Sequence, residues 1–491
     1  MNTRASQTVL DTARALDDIT RLWDGQIVRQ LSDYIAIPAK SPMFDPQWAQ
    51  HGYIDTVVRN ATAWVEAQKV EGLKLEVIRL EGRTPVLFFE LPASRGAGDA
   101  DVSAQTVLMY GHLDKQPEFS GWRNDLGPWT PKYEDGKLYG RGGADDGYAV
   151  YASIAALQAL KSQQLAHPRV VGLIETCEES GSYDLLPYID ALRTRLGDVG
   201  LVVCLDSGAG NYDQLWLTTS LRGMASGVLK VEILTEGVHS GDASGVVPSS
   251  FRIMRQVLDR LEDSKTGRLL PQSFHCEVPA ERMDQARATA AILGEELYKR
   301  FPWAHYDCEG DTRLALPMTT DPVQALLNRT WAPTLSVTGA EGLPDLQNAG
   351  NVLRPYTAFK LSLRLPPLVE AATAVQELKA LLEDNAPYQA RVTFEGLSSA
   401  TGWNAPETAP WFGRALDAAS RNFYGAPCGF IGQGGTIPLM NMLSRGFPRA
   451  QMMVCGVLGP RSNAHGPNEF LHVPYARRLT AAVAQVIAQM P

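Results

Sequence analysis

Cysteine is scarce in this chain, and nothing in its placement reads as a framework. Cys177, Cys204, Cys276, Cys308, Cys428 and Cys455 are scattered over 491 residues without a C-x-x-C pair. That excludes a disulfide scaffold and a cysteine-rich zinc module. Cys204 and Cys455 fall inside apolar runs, where a free thiol behaves as a small hydrophobe, so a reducing, cytoplasmic setting is expected. Long apolar runs are also missing: none approaches the ~20 residues that a membrane-spanning helix needs. The first twenty residues, MNTRASQTVLDTARALDDIT, mix charges and lack the apolar stretch of a secretory leader. No membrane partner is expected. Positive charge is in deficit, with 45 Lys and Arg against 54 Asp and Glu and a net charge of −9. Without a basic stretch to neutralise phosphates, a broad nucleic-acid-binding face is excluded.

What remains is a globular composition, 45% hydrophobic and 20% charged, in a chain too long for one ordinary core. Four short apolar runs, 106–110 (TVLMY), 169–174 (RVVGLI), 200–205 (GLVVCL) and 451–457 (QMMVCGV), read as buried strands. A helical pattern at 147–165 lies between the first two. Strand and helix therefore alternate as in an α/β domain. From about 216 to 396 the order becomes strand, helix, two strands, helix and strand, with an insertion at 263–330 that contains a helical candidate at 286–301. That order is the ferredoxin-like βαββαβ motif. The expected division is 1–215 and 397–491 for an α/β catalytic domain, and 216–396 for a smaller inserted domain.

Ligands of open α/β sheets gather beyond the C-terminal ends of the strands, and each apolar run is followed by metal-capable side chains. His112 and Asp114 follow the first, Glu178 and Glu179 the second, Asp206 the third, and the fourth leads to His465. Asp145 and Asp146 precede the central helix, where helix capping alone would explain them. Singly each has an ordinary reading: a chance H-x-D, a solvated acidic turn, a strand-end cap, a loop histidine. Gathered at one sheet edge, Asp145, Glu179, Asp206, His112 and His465 would repel unless cations neutralised the carboxylates. Two imidazoles with three carboxylates suit zinc, with manganese or cobalt as alternatives.

These residues resemble the co-catalytic di-metal peptidases, the family of carnosinase-type dipeptidases, aminoacylase and succinyl-diaminopimelate desuccinylase. The resemblance rests on GHLDKQP (111–117), DGKLYGRGGADD (135–146), ETCEESGS (175–182), LDSG (205–208), LRG (221–223), HSG (239–241), QGGTIP (433–438) and AHGPNEF (464–470). It is strongest toward carnosinase-like dipeptidases. It implies a di-zinc peptidase-like catalytic domain with an inserted ferredoxin-like lid and dimerisation domain, and two divalent metal ions per chain. Asp145 would bridge the two, with His112 and Asp206 completing one site and Glu179 and His465 the other. Glu178 would be the general base toward a metal-bridging water, and Asp114 would orient His112. A cis peptide bond between Asp145 and Asp146 is common in similar proteins. The resemblance further implies a homodimer in which His239 stabilises the oxyanion in the partner subunit's site. Arg354 would hold the substrate's terminal carboxylate, and Gly434, Gly435 and Thr436 would line the substrate as a glycine loop.

Two departures from the family pattern bear on specificity: Gly147 stands where many members carry lysine, and Gln433 where carnosinase-like members carry glutamate. The expected function is hydrolysis of the amide bond of a dipeptide or short peptide. Deacylation of an N-acyl amino acid uses the same chemistry and is the nearest alternative. A cysteine hydrolase built on Cys177 and a non-catalytic binding protein are remoter ones.

Overall fold

The structure, a computed structural model, describes residues 9–94, 105–308, 311–436 and 438–491. Part of the N-terminal segment considered for a leader, residue 437 of the glycine-loop motif, and the side chain of Cys308 lie outside the described residues. The other five cysteines are free thiols. No described helix is long and apolar enough to cross a membrane.

Ten strands form the two largest sheets among the described residues. In chain order they are β1 (Lys74–Ile78), β2 (Val86–Leu91), β3 (Gln105–His112), β4 (Arg169–Glu175), β5 (Asp198–Cys204), β6 (Gly223–Glu232), β7 (Thr334–Glu341), β8 (Tyr356–Leu365), β9 (Arg391–Ala400) and β10 (Gln451–Val454). The chain forms two compact units. One comprises the residues up to Thr218 with Ala405–Ile431 and Met442–Pro491, and the other comprises Thr219–Asn404 with Gly432–Asn441. The second unit thus reaches to Asn404, beyond the expected 396, and takes Gly432–Asn441 from the stretch expected to be catalytic.

In the first unit the sheet order is β1-β2-β4-β3-β5-β10. Strands β4, β3, β5 and β10 run parallel, and β1 and β2 add an antiparallel edge. The central strands are buried on both faces, which is why they read as unbroken apolar runs rather than alternating ones. The helix Tyr148–Ser162 is buried along almost its whole length and packs against Val473–Ala488. Its alanines let neighbouring backbones come close while adding no side-chain entropy cost. Parallel pairing brings the carboxyl ends of β3 and β4 level, with His112 opposite Glu175.

In the second unit the sheet order is β7-β8-β6-β9, all antiparallel. The helix Ser250–Leu258 joins β6 to the later strands and Ala371–Glu383 joins β8 to β9, giving the βαββαβ course. Strand β6 alternates buried and less buried residues, as a sheet with one covered face requires. Leu229, Val231, Leu361 and Leu363 form one core with Ile253, Met254 and Val257 of the first helix and Val375, Leu378 and Leu382 of the second. Each such side chain contributes about 1.5–3 kcal/mol on full burial. The helical candidate at 286–301 is two helices, Ala280–Leu293 and Glu296–Lys299, divided at Gly294 where φ is 51°. A third helix, Pro322–Thr330, is capped by Asp321, whose carboxylate accepts the Val323 N–H at 2.8 Å.

Candidate active site

The five expected ligands lie in the first unit, and each is delivered by the end of a strand or by a loop. His112 closes β3. Asp206 comes two residues after β5, and Glu178 and Glu179 form a short 3-10 turn after β4. Asp145 precedes the helix Tyr148–Ser162, and the Asp145–Asp146 peptide bond is cis. His465 stands on an exposed loop.

Asp145 turns one carboxylate oxygen to each imidazole. Its Oδ1 lies 3.6 Å from His112 Nε2 and its Oδ2 lies 3.0 Å from His465 Nε2. Beyond it, His112 Nε2 is 3.8 Å from Asp206 Oδ2, and His465 Nε2 is 3.4 Å from Glu179 Oε2. Ligand atoms of His112, Asp145 and Glu179 fall within 4.8 Å of one another, as do those of His112, Glu178 and Asp206. His112, Asp145 and Asp206 are buried, and Glu178 and Glu179 half-buried.

The electrostatics of this cluster call for positive charge. Burial pushes the Glu179 carboxyl up to about 8 and Asp206 up to about 7, and the negative charge of Asp145 adds to both. Burial, then the Asp206 charge, raises Glu178 well above the ordinary carboxylate range. For Asp145 burial acts in the same direction, but the imidazoles of His112 and His465 facing its two oxygens outweigh it and hold the carboxyl low. The buried Nε2 of His112 and Oε1 of Glu179 have no hydrogen-bond partner among the described residues. Orphaned buried polar atoms cost free energy unless something satisfies them. A nitrogen and oxygen donor set of this kind fits divalent metal ions.

Asp114 is fully buried and tied at both oxygens. Its Oδ1 lies 3.4 Å from His112 Nδ1 and its backbone oxygen 3.1 Å from the same atom. The carboxylate also accepts the backbone N–H groups of Glu178 at 3.1 Å and Glu179 at 3.0 Å. A ring nitrogen held in this way fixes the tautomer that leaves Nε2 free to ligate.

Several neighbours that were given no role from sequence also shape the site. Arg141 and Glu469 form a fully buried ion pair at 2.5 Å, and Arg141 Nη2 donates to the backbone oxygens of His465 at 3.0 Å and Gly466 at 2.8 Å. The pair thereby holds the loop that carries His465. Asp146 Oδ2 accepts the His112 N–H at 3.3 Å. A β-carbon on Gly111 would lie 2.9 Å from that oxygen and 2.5 Å from Ala149 Cβ, so only glycine admits the approach. Glu175 accepts from Tyr110 at 2.7 Å and Ser182 at 2.9 Å, and burial, reinforced by Asp114, pushes its carboxyl up to about 8. Gln116 donates to Glu179 Oε2 at 2.6 Å. The motif strings contained most of these residues, yet spacing alone distinguishes neither a buried ion pair nor a neutral acid.

The remaining expected residues belong to the second unit. His239 is exposed and pairs with Val352 in a two-residue ladder in which Val238 pairs with Leu353, so Arg354 comes directly after the neighbouring strand. Gly434 is half-buried and Gly435 exposed. Thr436 donates its hydroxyl to the Arg222 backbone oxygen at 2.6 Å and accepts from Arg364 at 3.0 Å. Cys177, the nucleophile of the remoter alternative, is fully buried, and burial pushes its thiol up to about 12, which removes the thiolate at neutral pH.

A sequence model of peptidase family M20/M25/M40 matches residues 108–489. The chain belongs to this family. It is thereby a hydrolase of the metallopeptidase class. Among curated relatives it is similar to the cysteinylglycine-S-conjugate dipeptidase of Corynebacterium striatum, at 29% identity over 85% of this chain and 88% of that one. The Beta-Ala-His dipeptidase of Homo sapiens is 26% identical over 86% of this chain and 82% of its own. Its fold is similar to that of human carnosine dipeptidase 1, with a TM-score of 0.74 at 22% identity over 98% of each chain. Family membership accounts for the α/β architecture and for the divalent metal that the donor set calls for.

Proposed function

We propose that this family member is a two-metal dipeptidase, with Asp145 as the bridge between the metals. The observation that carries the reading is that the two oxygens of Asp145 face different imidazoles, at 3.6 and 3.0 Å. His112, Asp145 and Asp206 would hold one divalent ion and Asp145, Glu179 and His465 the other, zinc being the best fit and manganese or cobalt the alternatives. When bound, the ions supply the positive charge that makes water acidic and the scissile carbonyl electrophilic.

The residues of the chain do the rest. Glu178, adjacent to a ligand and raised in basicity by burial and by its acidic neighbours, takes the proton of the attacking water and returns it to the leaving amine. Asp114 keeps His112 and the 178–179 turn in place. In the second unit, Arg354 receives the terminal carboxylate of the dipeptide, for which a planar guanidinium is suited. The 434–436 loop lines the substrate. His239, exposed and paired with Val352 through its backbone, would serve the partner subunit of a homodimer as an oxyanion donor. The scattered free cysteines favour a cytoplasmic location.

The reading is tested on one purified sample by metal content and by hydrolysis of Cys-Gly and β-Ala-His, the dipeptides in the relatives' names, alongside N-acyl amino acids. Two metals per chain, with dipeptide hydrolysis lost on chelation and restored by zinc or manganese, is the expected result. Turnover confined to acyl substrates would replace the dipeptidase with a deacylase, and a metal-free protein that resists reconstitution would sink both.

A further inference from the structure

Lys115 follows Asp114 directly in the chain, and its side chain is fully buried. Among the described residues it has no carboxylate partner. Its Nζ donates instead to backbone oxygens, those of Tyr34 at 2.6 Å, Ile37 at 2.8 Å and Ile35 at 3.4 Å. Tyr34 and Ile35 end the helix Val28–Ile35, where the helix dipole favours a cation. The Nζ also lies 3.8 Å from the centre of the Tyr34 ring and 5.4 Å from that of Trp129. Gly142, with φ at 85°, makes room for the stem: a β-carbon there would come within 2.8 to 2.9 Å of Lys115 Cγ, Cδ and Cε.

A lysine is almost never fully buried unless its charge is paired, and a methionine would fill the same slot without the cost of desolvating an amine. Burial pulls the amine well below the ordinary lysine range, against the opposing charge of Glu469. The three oxygens accept as many hydrogens as an ammonium has to give. What the head group accomplishes is therefore to fix the backbone of residues 34–37.

That backbone continues directly to the turn of the proposed base. The Ser41 N–H donates to the Lys115 oxygen at 2.9 Å, and Lys40 pairs with Lys115 in a single parallel bridge. Ser41 Oγ lies 2.6 Å from Ser180 Oγ, which also accepts the Met43 N–H at 2.8 Å. Ser180 closes the short turn that carries Glu178 and Glu179. Both serines are buried, so water does not compete for these bonds. Asp114 holds the turn by its N–H groups; the 34–43 segment holds it separately, by the side chain of Ser180.

We infer that Lys115 is a positioning residue, which clamps the 34–43 segment at one end and through Ser41, Met43 and Ser180 steadies the Glu178–Glu179 turn at the other. Its kinetic consequence rests on the dipeptidase reading; the mechanical link does not.

The test uses the metal-loaded, full-length protein, its Lys115→Met and Ser180→Ala variants, and the two combined. Amide hydrogen exchange is followed peptide by peptide. In Lys115→Met, exchange is expected to quicken at least about tenfold at 34–43 and at 178–181, with the strands of the second unit unchanged. Quickening confined to 34–37, or spread evenly over β3, β4 and β5, would overturn the link. In dipeptide hydrolysis, Lys115→Met is expected to lower kcat about ten- to hundredfold with KM and metal content little changed, as for a misplaced base. The combined variant should fall no further than the weaker of the two single ones, since both cut the same connection. Multiplied losses, or a loss of metal that matches the loss of rate, would refute the role. Lys115→Gln, which keeps two donor hydrogens, is expected to lie between Lys115→Met and the parent. If Lys115→Met does not fold, Ser41→Ala supplies the same comparison from the middle of the segment. Exchange needs no turnover, so a failed dipeptidase assay leaves the link standing, and unchanged exchange in an active dipeptidase removes the link alone.

Discussion

Asp114 Oδ1 accepts the backbone N–H of Glu178 at 3.1 Å, so the carboxylate beside His112 also sets the turn that presents the proposed base. On sequence grounds Asp114 has only the first task. Its second oxygen does the same for Glu179, and one buried side chain thus aligns a ligand from each proposed metal position. Asp114→Ala is expected to weaken metal binding by about 10–100-fold, the usual cost of losing such a support. Competition with a chromogenic chelator measures it. Unchanged affinity would mean that the backbone holds the turn unaided.

Glu178→Gln keeps the shape of the side chain and removes its ability to accept a proton. Metal content should be unchanged while kcat falls by about three orders of magnitude or more. Turnover near that of the parent would assign the base to another residue.

The Arg141–Glu469 pair couples the stability of the first unit to the His465 loop. Arg141→Met leaves Glu469 buried without its partner, which costs about 3–5 kcal/mol, and frees the carbonyls of His465 and Gly466. Denaturant unfolding should show the loss, and the variant should retain less metal at a fixed free-metal concentration. Wild-type stability in both assays would show that the pair is dispensable.

Glu175 makes a pH-dependent contribution. Its carboxyl rises from an ordinary 4.5 to about 8 in the folded chain, so between those values the native state binds more protons than the unfolded one. The stability it contributes is present in full below the lower value and is lost as pH rises through the upper one. In chelated protein, Glu175→Gln should flatten the fall of Tm between about pH 5 and pH 9, each pKa unit amounting to about 1.4 kcal/mol. Parallel curves for parent and variant would show that Glu175 ionises normally.

His239→Ala should lower kcat without changing metal content. Mixing it with Glu178→Gln should restore partial activity if His239 serves the partner subunit, because one of the two sites in a mixed dimer then has both groups. No recovery on mixing would remove the action in trans.

The strands of the first unit were legible because parallel strands buried on both faces leave unbroken apolar runs. His112, Glu179 and Asp206 were legible from their positions just after the carboxyl ends of three of the runs. The βαββαβ order of the second unit was legible from the switch between alternating and helical spacing. What escaped the sequence depends on long-range partners. Nothing local pairs Arg141 with Glu469, or marks Glu175 as neutral. The helical candidate at 286–301 looked continuous because Gly294 only weakens a helix on propensity grounds; its positive φ is what ends it.

Strand β10 pairs with β5 across the whole intervening second unit, and the loop bearing His465 comes after β10. During synthesis the first unit therefore waits for the stretch around β10 before its sheet is complete and the fifth proposed ligand arrives. Closing so distant a contact is entropically slow. A ribosome-bound chain lacking residues after 450 would already contain His112, Asp145, Glu179 and Asp206 but not His465, so loading of the proposed metal pair would await synthesis of the His465 loop.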